Sequence, residues 1–133
     1  MEENIDIVKA KIASAQQQQE AGNLTTAIVL YQEILDEFPN NADALHYLGL
    51  AYYQAKKYDM ILPLLTRAIE LDPTSMYMHE NNLIIFKNLN LVNLITTELH
   101  WLASAKPNDM ALQEQLITAY QQQTADYSFI SAI

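Results

Sequence analysis

The sequence predicts an all-α fold, a solenoid of antiparallel helix pairs, on three observations. Three of the four prolines, Pro39, Pro73 and Pro107, stand 34 residues apart. Each closes a similar phrase: "ILDEFPNN", "AIELDPTS" and "WLASAKPND". Between the prolines, apolar residues recur at helical spacing in two blocks per period, divided by a short polar break. A proline cannot continue a helix and turns the residue before it away from helical backbone, so each marks a helix end. The Asn, Ser or Thr that follows suits the cap of the next helix.

The first unit (residues 5–39) runs from Ile5 to Ala21, breaks at "GN", and resumes from Leu24 to Phe38. The second (42–73) runs from Ala42 to Ala55, breaks at "KK", and resumes from Tyr58 to Leu71. The third (76–107) runs from Met76 to Leu89, breaks at Asn90, and resumes from Leu91 to Ala105. A partial fourth (109–133) opens with "NDMALQEQLITAYQQQ", and a break is expected near Thr124. Pro63 falls about one turn into the second helix of its pair, where a local tilt is expected rather than a break.

A chain of 133 residues, half of them apolar, fits one domain, 1–133. A net charge of −9 with seven basic residues excludes a phosphate-binding footprint, so neither nucleic acid nor an anionic membrane is an expected partner. Any charge-steered partner is expected to be basic. There is no cysteine, which excludes disulfides and thiolate chemistry and suits a reducing compartment. The N-terminal "MEENIDIVKAKIASAQQQQE" lacks the pattern of a signal peptide. The most apolar stretch, Leu83 to Leu94, is interrupted by Lys87, Asn88, Asn90 and Asn93 and falls short of the roughly 20 residues a membrane helix needs. A soluble, cytoplasmic protein is the expectation.

Leu45, Leu48, Gly49, Tyr52, Tyr58, Ala68 and Pro73 fall where the tetratricopeptide repeat places its signature residues, so the chain resembles that family over nearly its whole length. The resemblance implies a right-handed superhelical solenoid of three full repeats and a partial fourth. Gly49 then has a packing reason: two helices of a pair approach where a side chain would hold them apart, offsetting the roughly 1 kcal/mol a mid-helix glycine costs. Stepping by 34, the sites matching Gly49 are Ala15, Leu83 and Ile117, and those matching Tyr52 are Gln18, Phe86 and Tyr120. The third unit fits poorly at Asn82 and Leu83, and a rotated or splayed pair is expected there.

The resemblance further implies a concave face lined by the first helix of each pair, and hence a protein-interaction module that binds an extended or helical partner segment in that groove. Its contacts are expected at His46, Tyr47, Leu50, Tyr53, Tyr77, Glu80, Asn81, Ile84, Lys87 and Asn88, joined by Lys9, Ile12, Gln16, Gln19, Asp43, Gln54, Glu114, Gln115, Thr118 and Gln121. Tyrosines give rigid contact area and amides can bond a peptide backbone. Repeats resembling the chaperone-binding cochaperones grip a C-terminal carboxylate with lysine, asparagine and arginine. Here those places hold Ile12, Gln16, Tyr47, Tyr77 and Asn81, and only Asn81 fits. The asparagine ladder of repeats resembling those ahead of N-acetylglucosamine transferases reads Ala13, Tyr47, Asn81 and Gln115, with one clear rung.

No catalytic constellation is visible. His46, His79 and His100 lack the spacing that sets two metal ligands on one helical face and read as partly exposed helix residues. Two glycines cannot form a phosphate loop. The chain is therefore read as no enzyme, with no cofactor and no metal. The runs Gln16–Gln19 and Gln121–Gln123 read as helix surface. Trp101 either anchors an external contact or covers the third pair. Two further readings stay open: an N-terminal docking or scaffolding domain of a larger enzyme such as a glycosyltransferase, and self-assembly. Both are motivated by the tail "ADYSFISAI", whose Phe129, Ile130 and Ile133 look like the start of another buried helix and suggest a homo-oligomer through an exposed C-terminal end.

Overall fold

The computed structural model describes the backbone of residues 2–132 and the side chains of residues 5–125. The tail residues Phe129, Ile130 and Ile133 lie outside the described side chains. Every described element is helical: α1 Glu2–Glu20, α2 Leu24–Glu37, α3 Ala42–Gln54, α4 Ile61–Leu71, α5 Met76–Asn88, α6 Val92–Ala105 and α7 Met110–Ala132. The chain divides into two compact units, Met1–Ser75 and Met76–Ile133, at the join between the second and third repeats.

The proline phrases fold alike. Phe38, Asp72 and Lys106 each take extended-leaning backbone (φ −130, −139 and −124°) while their N–H still bonds the carbonyl four residues back. Their own carbonyls then accept from Asn41, Ser75 and Asp109 at 3.1, 3.2 and 3.1 Å, closing turns with proline at the second place, which its fixed φ favours. The next helices start at once. The Asn41 side chain caps α3 by accepting from the Ala44 N–H at 2.9 Å, and the Asp109 carboxylate does the same for Leu112 in α7 at 3.2 Å.

The breaks inside each pair are equally regular. Gly22, Lys56 and Asn90, 34 residues apart, have φ of 84, 60 and 56°. In each turn the N–H of the following residue reaches back five places: Asn23 to the Gln18 carbonyl, Lys57 to Tyr52 and Leu91 to Phe86, at 2.9, 2.9 and 3.0 Å. This is the left-handed helix stop that satisfies the last carbonyls and sends the chain back antiparallel. The fourth place in the series is Thr124, and the break expected there is absent. α7 runs straight through it, and the Thr124 hydroxyl donates to the Tyr120 carbonyl at 2.9 Å. A β-branched residue is strongly disfavoured at positive φ, so the helix continues instead.

Pro63 shortens rather than breaks its helix. The counterparts α2 and α6 each have 14 α-helical residues, whereas the matching stretch begins as a 3₁₀ turn, Tyr58–Met60, before α4. Pro63 has no N–H for the Asp59 carbonyl and its ring crowds that oxygen, so the turn tightens. The Ile61 N–H accordingly bonds the Tyr58 carbonyl.

In the first unit α1 pairs with α2, α2 lies on α3, and α3 pairs with α4. Ala15, Ala27, Tyr31, Leu48, Leu65 and Ala68 are buried in this stack. Gly49 does what its place demands: a Cβ there would stand 2.9 Å from Leu65 Cδ2 and 3.3 Å from its Cγ. In the second unit α5 pairs with α6 and α6 packs on α7, around Leu83, Leu99, Leu102 and Ala119. Asn82, where the second repeat has Leu48, is buried all the same (1 % exposed), and its Oδ1 has no hydrogen-bond partner among the described residues.

Replacing Lys56 by glycine removes the cost of a side chain at positive φ, about 1 kcal/mol after the added entropy of the unfolded chain is subtracted. The urea midpoint of Lys56→Gly is expected above that of the parent chain, with unchanged slope.

Candidate functional site

Each unit carries a hollow with an apolar floor and a polar rim. In the first unit it measures about 230 Å³ and is lined by Ile5, Val8, Lys9 and Ile12 of α1, by Phe38, and by Asn41 and Asp43 at the start of α3. The amphipathic spacing of α1 turns Val8 and Ile12 inward, 6 % and 8 % exposed, while Lys9 and Asp43 set opposite charges on the rim. In the second unit a larger hollow of about 440 Å³ has Ile95, Leu99, Ala111 and Ala119 among its lining, with Lys87, Glu114, Gln115, Thr118 and Gln122 around them. The Lys87 ammonium donates to Gln115 Oε1 at 2.6 Å, tying α5 to α7.

The ten residues expected to contact a partner are distributed unevenly. Lys87 lines the larger hollow. Glu80, Ile84 and Asn88 are exposed; Tyr47, Leu50, Tyr53, Tyr77 and Asn81 are half-buried. Glu80 accepts from Lys106 Nζ at 2.9 Å. Tyr47 stacks nearly parallel on Tyr31 with ring centres 6.2 Å apart, and Tyr53 lies 6.4 Å from Tyr58. His46 has no exposed surface (0 %) and meets Tyr47 edge-on. The helix α3 lies against α2 and α4 and touches α1, which leaves little of its circumference free. Of the added residues, Lys9, Ile12, Asp43, Glu114, Gln115 and Thr118 line one hollow or the other, whereas Gln16, Gln19, Gln54 and Gln121 line neither. Helical spacing did not single out Ile5, Val8, Phe38 and Asn41 of the first hollow or Ile95, Leu99, Ala111, Ala119 and Gln122 of the second; for the first, the apolar spacing of α1 and the bulky residue before Pro39 were the available signal.

The polar residues are more buried than their spacing suggested. Gln19 is 9 % exposed rather than surface, accepting from the Tyr31 hydroxyl at 2.6 Å and donating to Gln54 at 2.8 Å. Burial raises the Tyr31 phenol well above its ordinary value, with Tyr47 and Glu20 adding to the effect, so the hydroxyl stays a donor. His79, read as partly exposed, is 7 % exposed; its Nδ1 lies 2.5 Å from Glu98 Oε2, and its ring stacks on Trp101 at 3.6 Å. Trp101 packs against the Leu83, Leu99, Leu102 and Ala119 cluster and so covers the third pair. No group of three His, Cys, Asp or Glu side chains able to hold a metal occurs among the described residues. No described helix is long and apolar enough to cross a membrane.

Residues 18–60 match the sequence model of the tetratricopeptide repeat. The chain has the tetratricopeptide-repeat fold. Among solved structures it is similar to the O-GlcNAc transferase of Thermobaculum terrenum, a K341M mutant, at 28% identity and a TM-score of 0.68, covering 84% of this chain and 22% of that one. It is also similar to MamA of AMB-1 (21% identity, TM-score 0.70, 88% of this chain and 64% of that one). A third likeness is to the first tetratricopeptide domain of Spaghetti (RPAP3) bound to the HSP90 peptide SRMEEVD (15% identity, TM-score 0.71, 88% and 93%). The chain thus spans less than two thirds of the length of the first two. No curated protein sequence matches. Within this tetratricopeptide fold, Ile12, at a place where cochaperone repeats carry a polar clamp residue, is floor to an apolar hollow.

Burial lowers the His46 imidazole from 6.5 to about 4, with Asp43 acting in the opposite direction. The folded chain therefore holds His46 neutral, while the unfolded chain takes up a proton below 6.5. The stability this contributes is complete above 6.5 and is lost as pH falls toward 4, on the order of 3 kcal/mol across the window. Urea midpoints measured across that range are expected to fall more steeply for the parent chain than for His46→Gln.

Proposed function

We propose that this chain is a protein-interaction module that seats an extended or helical partner segment in the hollows on its inner helices, the first helices of the pairs (α1, α3, α5 and α7), with no chemistry of its own. The observation that carries the reading is the larger hollow, where apolar side chains lie beneath a rim of an ammonium, a carboxylate, amides and a hydroxyl. Such a mixture can bury a partner's apolar side chain while bonding its backbone. The net charge of −9 favours a basic partner. The peptide held by the RPAP3 domain ends in an acid, and the lack of clamp residues here argues for a different class of segment. A cytoplasmic setting belongs to the same reading and rests on a cysteine-free sequence.

Peptides selected from a displayed library against the chain are expected to lose at least about tenfold in affinity, about 1.4 kcal/mol, on Thr118→Arg. Thr118 is exposed, so the helical circular dichroism of the variant is expected to match the parent. Peptides that bind the variant equally well would remove the hollow from the mechanism.

A second reading, a docking domain within a larger enzyme, is favoured by the similarity to the O-GlcNAc transferase, of which this chain spans 22%. Immunoblotting of source cells with an antibody to this segment separates the two. A species the size of these 133 residues supports a free-standing module, and a much larger one supports the docking domain.

A further inference from the structure

A step of 34 residues from Leu45, Leu48 and Leu64 of the second pair arrives at His79, Asn82 and Glu98 of the third. Three leucines of one helix pair are thus answered by an imidazole, an amide and a carboxyl group in the next. All three polar side chains are buried, at 7 %, 1 % and 7 % exposure. His79 Nδ1 meets Glu98 Oε2 between α5 and α6 at 2.5 Å, and the Trp101 ring lies over the imidazole within 17° of parallel. The Asn82 Oδ1 has no hydrogen-bond partner among the described residues. A core of this kind is held closed weakly. Each polar group gives up water on folding, and a buried imidazole–carboxylate contact recovers little more than that loss, so apolar side chains in its place are neutral or stabilising. An unbonded amide oxygen recovers none of it. When the pair opens, water satisfies all three groups at once, whereas the leucines of the second pair are driven back together.

We propose that the α5–α6 pair is a gate built into the fold, which opens as a unit at a lower free energy than the α3–α4 pair because of this polar core. Local opening of this kind is how a folded chain supplies a mobile element to a binding site. On the reading that the larger hollow seats a partner segment, the gate controls that hollow. Ile95 and Leu99 of its floor stand on α6 and Lys87 of its rim on α5, so the hollow exists only while the pair is closed. A seated segment and the open pair exclude each other, and binding shifts the pair toward its closed state.

Native-state hydrogen exchange of the free parent chain reads the gate without any partner. Corrected for intrinsic rates, the slowest amides of α5 and α6 are expected to exchange at least about tenfold faster than those of α3 and α4, with both helices released together. The triple replacement His79→Leu, Asn82→Leu and Glu98→Leu is expected to slow exchange in α5 and α6 at least about tenfold. The gate is overturned if α5 and α6 of the parent exchange no faster than α3 and α4, or if the three leucines leave their exchange unchanged. The first comparison needs no variant and stands should the triple replacement fail to fold. Library peptides whose affinity falls on Thr118→Arg are then added to the parent, and they are expected to slow α5 and α6 more than α3 and α4. Equal slowing of all four helices would overturn the control of the hollow by the gate. If no selected peptide responds to Thr118→Arg, the docking reading fails by itself, and the exchange of the free chain still decides the gate.

Discussion

A residue held at positive φ two places after the inner helix decides whether this chain folds back on itself. Gly22, Lys56 and Asn90 accept that backbone, and each is followed by an outer helix antiparallel to the one before. Their chemistry grades the cost: glycine adopts it freely, asparagine with local help, and lysine only against the strain of its Cβ. Threonine, branched at Cβ and able to bond the carbonyl four back, gives the alternative outcome at the fourth place, an uninterrupted α7. One dihedral angle thus separates three closed helix pairs from one open helix.

Once the turn is set, packing fixes how near the paired helices come. Gly49 lets α3 approach Leu65 so closely that a Cβ there would force the Leu65 side chain to shift. In the same stack His46 is buried as a neutral ring, and Gln19 links Tyr31 to Gln54. The third pair is held by different means: Leu83 replaces the glycine, and the contact of His79 with Glu98, under Trp101, ties α5 to α6. Asn82 is held inside that pair with its Oδ1 unbonded among the described residues, a weakness that tertiary packing outweighs.

Much of this was legible in the sequence, and the exceptions are instructive. Proline spacing and apolar periodicity placed the helices to within a few residues, because both act locally on the backbone. The break at Thr124 was misread: the polar composition of "QQQT" resembles a turn, while the decisive feature is the branching of a single side chain. His46, His79 and Gln19 were misplaced for a different reason. Helical spacing states which side of one helix a residue occupies, but burial depends on how many neighbours that helix has. The hollows were half visible, since Lys9, Ile12, Asp43, Lys87, Glu114, Gln115 and Thr118 share the inner face by spacing, whereas Phe38 enters from outside any helix.

These constraints shape the molecule's surface. Apolar-floored hollows lie where inner helices stand side by side, and Met110, Ile117 and Tyr120 of α7 are exposed where no returning helix follows among the described residues. The central claim is that the backbone at the residue two places after each inner helix decides whether the chain turns back there. It is tested most directly by nuclear magnetic resonance of the parent chain, reading Cα shifts and the three-bond N–H to Hα couplings. The account predicts left-handed values at Gly22, Lys56 and Asn90 and unbroken helical values from Met110 through Thr124 and beyond. Left-handed values at Thr124, with a helix resuming after it in the reverse direction, would contradict it.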